Sequence, residues 1–126
     1  MPFFSVINLM TSHQSRSMVW PYEKFRSEIQ SELTTEQIHD FQKVNLPPYY
    51  PDTPVVRKTL ARFFDCVTLM DQEVGKILQR LKNDGLDENT IVFFFSDHGS
   101  GIPRHKRALL DSGMHIPCLL YTSDAA

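Results

Sequence analysis

The stretch Ile91-Val92-Phe93-Phe94-Phe95-Ser96-Asp97-His98-Gly99 decides the fold. Five consecutive apolar residues, aromatic and β-branched, have the character of a central strand covered on both faces. The run then stops in a polar cluster. Upstream of it, Leu60, Phe63, Phe64, Val67, Met70, Val74, Ile77, Leu78 and Leu81 recur at three- and four-residue steps and predict one face of a long helix. Arg62, Asp65, Gln72, Glu73, Lys76, Gln79 and Arg80 fall mainly on its other side. Asp52 or Thr53 before Pro54 supplies an N-cap, and Asn83-Asp84-Gly85 a stop with Gly85 left-handed. Downstream, a polar loop over residues 99–113 leads to a second strand, Ile116-Pro117-Cys118-Leu119-Leu120-Tyr121. Strand, helix and strand on short linkers predict an α/β sheet.

Phe3 to Met10 is a further apolar run of strand length, suited to burial on both faces, and it ends in the polar turn Thr11-Ser12-His13-Gln14-Ser15-Arg16. Residues 17–54 are irregular, polar and aromatic, punctuated by Pro21, Pro47, Pro48, Pro51 and Pro54, with a short helical turn at Glu36–Phe41. Such a stretch is a surface excursion or a substrate-facing loop. The chain begins in a strand and ends a few residues after one, as a domain cut at both ends would.

The chain has 126 residues, 41% hydrophobic and 11% aromatic, enough for a core. Thirteen Lys and Arg against fifteen Asp and Glu leave a net charge of −2, which argues against nucleic acid as a partner. No apolar run approaches the length of a membrane span, about 18 residues. The N-terminus lacks the basic region and cleavage site of a secretory signal. Cys66 and Cys118 are too few for a disulfide scaffold or a cysteine-rich zinc module, and both have the setting of small buried hydrophobes.

Ligands of open α/β sheets bind beyond the carboxyl ends of the strands. His13 follows the first run and Asp97-His98 the second, so parallel strands would bring both clusters to one rim. An adjacent carboxylate and imidazole before Gly99 suit a divalent metal. The alternative is that Asp97 caps the next turn and His98 faces solvent. The loop Gly99-Ser100-Gly101-Ile102-Pro103-Arg104-His105-Lys106-Arg107 adds three cations near that rim, as an anionic ester substrate requires.

Phe93 to Gly99, then Pro103-Arg104-His105-Lys106-Arg107, Asp111-Ser112-Gly113 and Ile116-Pro117 together resemble the C-terminal half of a type I sulfatase catalytic domain, of the alkaline-phosphatase-like superfamily. Pro2-Phe3-Phe4 with Ser12-His13, Leu46-Pro47-Pro48-Tyr49, Pro51-Asp52-Thr53-Pro54 and Asp71-Gln72-Glu73-Val74-Gly75 fit the same family, so the resemblance runs from residue 2 to about residue 121. His105 and Leu110 depart from the usual pattern.

The resemblance implies an α/β/α sandwich with a mostly parallel sheet, of which residues 1–126 are part of the catalytic domain, truncated at both ends. It implies hydrolysis of sulfate esters or N-sulfates of a carbohydrate in a periplasmic or secreted enzyme. Asp97 and His98 would ligate the catalytic Ca2+. Lys106 would contact the sulfate and help the leaving oxygen, with Arg107 as the neighbouring alternative, and His13 would bind the same sulfate. The family's formylglycine nucleophile arises from Cys or Ser in a C/S-x-P-x-R motif. No such motif occurs here, and it is expected upstream of Met1. A phosphodiesterase or phosphonate hydrolase of the same superfamily is the rival enzyme reading, since the Asp-His pair suits it too. A non-catalytic anion-binding α/β module is the rival outside enzymes.

Overall fold

In a computed structural model, residues 2–121 are described. The chain divides into two compact units, Met1–Met70 and Asp71–Ala126.

The first unit is built on the N-terminal half of a long helix. Helix α1 is Tyr22–Glu28, and helix α2, Pro54–Asn83, continues into the second unit. Helix α2 starts as predicted: Pro54 occupies the first helical position and the Thr53 hydroxyl accepts from the Val56 N–H at 3.3 Å. Arg57 forks onto the Asp52 carboxylate and donates to the carbonyls of Gln42 (3.1 Å) and Val44 (3.2 Å), which ties the proline-rich segment to the helix start. The core gathers Phe25, Ile29 and Leu33 against Cys66 and Leu69, with Trp20 and Ile38 packed on its edge.

The face that α2 buries is not the one expected. Its buried residues are Leu60, Ala61, Asp65, Cys66 and Leu69, while Phe63, Phe64, Val67 and Met70 are only half-buried. Asp65, expected on the polar side, is fully buried. Its carboxylate is satisfied there: Gln30 Nε2 donates at 2.8 Å, the His39 N–H at 2.8 Å, and His39 Nδ1 lies at 3.0 Å. Helix α1 was not foreseen in the irregular stretch, because only Phe25 and Ile29 anchor it. The helical turn expected at Glu36–Phe41 is instead a set of turns.

Residues 3–10 form no strand. No partner strand hydrogen-bonds to them among the described residues, and Phe4 is 92% exposed, so the expectation of a strand covered on both faces fails there. An apolar run becomes a strand only where a ladder partner satisfies its backbone.

The second unit begins as α2 ends in a Schellman motif. Gly85 has φ 66°, its N–H bonds Lys82 O, and the Leu86 N–H bonds Leu81 O. Strand β1, Val92–Phe95, pairs with β2, Cys118–Tyr121, in register Val92↔Tyr121 to Phe95↔Cys118. The pair is antiparallel, so the mostly parallel sheet expected from the sequence is not what the described residues form. The connection over residues 96–117 carries only the short helix α3, Asp111–Met114, and loop, without the long helix that usually makes a parallel crossover. Phe93 and Phe95 are about two-thirds exposed, so β1 is not covered on both faces. Cys118 is exposed, contrary to expectation, whereas Cys66 is buried. No helix among the described residues is long and apolar enough to cross a membrane.

Candidate active site

Asp97 and His98 lie at the end of β1, where the chain turns sharply. Two glycines make that turn possible. A Cβ on Gly99 would strike the Ser112 carbonyl oxygen, and one on Gly113 would strike the carbonyl oxygens of Ala108 and His105. The Gly99 N–H bonds Gly113 O at 3.0 Å, and the Lys106 N–H bonds Ser100 O at 2.9 Å. The basic loop is thereby latched beside the end of β1. Arg104 (φ 71°) and Arg107 (φ 69°) adopt left-handed backbone within it, a strain that side chains other than glycine accept only where surroundings enforce it. Ile102 is buried beneath the loop.

The imidazole of His98 has a defined tautomer. Nδ1 lies 2.6 Å from the Gly99 carbonyl, which only accepts, so Nδ1 carries the proton. Nε2 then faces Asp97 Oδ2 at 3.3 Å. With a neutral ring, two lone pairs oppose each other, an arrangement that a cation shared between the two atoms would relieve. A neutral imidazole nitrogen beside a carboxylate oxygen is a donor pair that divalent cations accept. Among the described residues no cluster of three or more His, Cys, Asp or Glu side chains is arranged to hold a metal.

Lys106 is half-buried and Arg107 exposed; neither forms an ion pair among the described residues. Burial lowers the pKa of His105, which favours its neutral form. A separate open pocket of about 290 Å³, lined by residues including Gly75, Leu78 and Tyr121, contains none of these side chains.

His13 belongs to the first unit. Its Nδ1 accepts from the Ser15 N–H at 3.3 Å and lies 2.8 Å from the Ser15 hydroxyl. An N–H must donate, so Nδ1 holds the lone pair in the neutral ring and Nε2 holds the proton. Nε2 has no hydrogen-bond partner among the described residues, leaving a donor suited to an anion. Asp97, His98 and Lys106 are thus brought to one loop cluster in the second unit, while His13 is set up separately in the first. The two latch glycines were read from the sequence as motif letters, not as close approaches; only the backbone contacts reveal that role.

No solved structure matches the chain. An ulvan-active sulfatase of Formosa agariphila is 34% identical, over 94% of this chain and 24% of its own length. Human N-sulphoglucosamine sulphohydrolase is 37% identical over 68% of this chain and 17% of its own. Human iduronate 2-sulfatase is 33% identical over 71% of this chain and 17% of its own. The chain spans at most about a quarter of the length of these curated relatives. The family model described as Sulfatase matches residues 1–126, and with it the chain belongs to the sulfatase family of the alkaline-phosphatase-like superfamily.

Proposed function

We propose that these residues are part of the catalytic domain of a sulfatase that hydrolyses sulfate esters or N-sulfates of a sulfated carbohydrate. The observation that carries the reading is the latching of Lys106, a cation with no ion-pair partner among the described residues, beside the Asp97-His98 donor pair at the end of β1. The names of the relatives, an ulvan-active sulfatase and an N-sulphoglucosamine sulphohydrolase, support a carbohydrate substrate. The enzyme is periplasmic or secreted, and in the whole protein β1 belongs to a larger, mostly parallel sheet within an α/β/α sandwich.

Asp97 and His98 supply two ligands of a Ca2+, His98 through Nε2 while Nδ1 stays bonded to Gly99. When bound, the cation offsets negative charge on the sulfate. Lys106 donates to the sulfate and stabilises the leaving oxygen as its charge grows. His13 donates from Nε2 to the same sulfate. The formylglycine nucleophile belongs to a part of the protein outside these residues, since no C/S-x-P-x-R motif occurs among them.

Hydrolysis of 4-nitrophenyl sulfate by the full-length protein tests this reading. Lys106→Ala lowers kcat by about 10²–10³-fold with a smaller effect on KM, because charge on the leaving oxygen is greatest in the transition state. Chelation abolishes turnover and calcium restores it. A Lys106→Ala enzyme with parental kcat, or a large loss in Arg107→Ala alone, overturns the assignment of Lys106. Preference for a phosphate ester over the sulfate overturns the reaction.

A further inference from the structure

The segment between His13 and α1 holds a second group of side chains that the catalytic reading leaves unused. Trp20 is the one tryptophan of the chain. Its half-buried ring packs against the core of the first unit. Two cations converge on that ring: Lys24 Nζ lies 4.3 Å from its centre and the Arg16 guanidinium carbon 5.3 Å. Neither cation has a carboxylate within 4.0 Å among the described residues. The side-chain bond of Arg16 goes to Thr11 Oγ1 at 3.5 Å, the long limit of a hydrogen bond. Two like charges thus share one aromatic ring with no counter-charge.

The backbone beneath them is fixed from the opposite direction. Arg62 of α2 donates to the carbonyls of Arg16 (2.9 Å) and Trp20 (2.8 Å), and its guanidinium stacks on the buried Phe25 ring at 4.4 Å. Those two bonds hold the interior and the C-terminal cap of a five-residue π-helical turn, Ser15–Val19, a conformation that recurs at functional sites. The positions of Arg16 and Trp20 are therefore set by the helix before any ligand arrives. A platform prepared in this way loses little conformational freedom on binding.

We propose that Arg16, Trp20 and Lys24 form a subsite for a sulfated sugar residue of the substrate, distinct from the residue whose sulfate is cleaved. The proposal takes its substrate class from the sulfatase reading above. An indole ring accepts the apolar C–H face of a pyranose, and cations at its edge pair with anionic substituents. Lys24 sits on an exposed, flexible stem. It moves from the ring to a sulfate, and the sugar takes the ring face it vacates. A neutral sugar would leave both cations unmatched, and free sulfate would leave the ring unused. Single-stranded nucleic acid also combines stacking with cations, but the chain is acidic overall.

Fluorine NMR of the full-length protein labelled with 5-fluorotryptophan tests this, the Trp20 resonance being the one absent from Trp20→Phe. Sucrose octasulfate is expected to shift that resonance saturably, with affinity weaker by about tenfold in Lys24→Gln and in Arg16→Gln. Sucrose, sodium sulfate and the oligonucleotide dT12 are expected to produce no saturable shift. An unshifted resonance overturns the subsite, as does equal affinity in both charge variants. An equal response to sodium sulfate overturns the sugar, and an equal response to dT12 overturns the ligand class. Lys24 is exposed, so its variant keeps the test valid if Arg16→Gln fails to fold. Hydrolysis of 4-nitrophenyl sulfate without the shift sinks this subsite alone; the shift without hydrolysis sinks the catalytic reading alone.

Discussion

Asp65 holds the first unit together through three contacts to one fully buried carboxylate. Gln30 and His39, which contact it, lie 35 and 26 residues away, so the side chain fixes the irregular segment onto α2. Asp65→Ala removes the acceptor that ties Gln30 and His39 to α2, an expected loss of about 1–3 kcal/mol in urea unfolding. A loss no larger than that of an exposed Asp→Ala control would show that the pairing carries no weight. The neighbouring residue has a pH signature. Burial, with Asp65 beside it as the second cause, pushes the Cys66 thiol from 9.0 up to about 11. The folded state thus keeps the thiol protonated where the unfolded chain ionises it. This contribution to stability is fully present below pH 9 and is lost as pH rises to about 11. The drop in urea midpoint between pH 8 and about pH 11 should therefore be smaller in Cys66→Ala than in the parent. Equal drops would refute it.

At the scale of elements, the long helix was legible down to its ends. Thr53, Pro54 and Gly85 each perform the role their chemistry predicts. The buried face was not legible, because hydrophobic spacing cannot register a carboxylate that is buried with its partners already in place. The strands β1 and β2 were found within two residues, but their antiparallel pairing was not legible, since apolar runs carry no information about pairing. Of the candidate site, the residue types at Asp97, His98 and Lys106 were visible in the sequence. What holds them was not. Gly113 is the clearest case, for the sequence offers it as a motif letter and the fold uses it as a close approach between α3 and the basic loop. Gly113→Ala forces a methyl group against two carbonyl oxygens, so the loop must shift. The expected outcome in the full-length enzyme is a fall in kcat of about tenfold or more toward 4-nitrophenyl sulfate, since small misplacements of a positioned cation are costly. Gly75→Ala is the matched control, because a Cβ there meets nothing within 4 Å. If both substitutions behave alike, the glycine latch does not position the site.

For the molecule as a whole, the apolar surface that stays exposed is the decisive quantity. In the antiparallel pair, Phe93 and Phe95 share one face and Leu119 and Tyr121 the other, and all four are at least half exposed. Phe4 at 92% and Leu109 at 88% add to that surface. A sheet apolar on both faces has the composition of one covered by further layers. An isolated two-stranded pair is only marginally stable in water. Fully burying an apolar side chain stabilises by about 1.5–3 kcal/mol, so leaving these four half to two-thirds exposed forgoes about 4–7 kcal/mol. That reaches into the range of a typical domain's entire stability, about 5–15 kcal/mol. The 126-residue chain expressed alone should therefore bind a hydrophobic dye, unfold without a cooperative transition, and aggregate as its concentration rises. It should also leave 4-nitrophenyl sulfate intact with or without calcium, for want of a C/S-x-P-x-R nucleophile motif. Calorimetry and sedimentation on the purified chain decide the first claim: a sharp monomeric unfolding peak would mean that these side chains pack against each other better than their exposures indicate. Calcium-dependent release of 4-nitrophenol by the same sample would mean that one of its own side chains attacks sulfur.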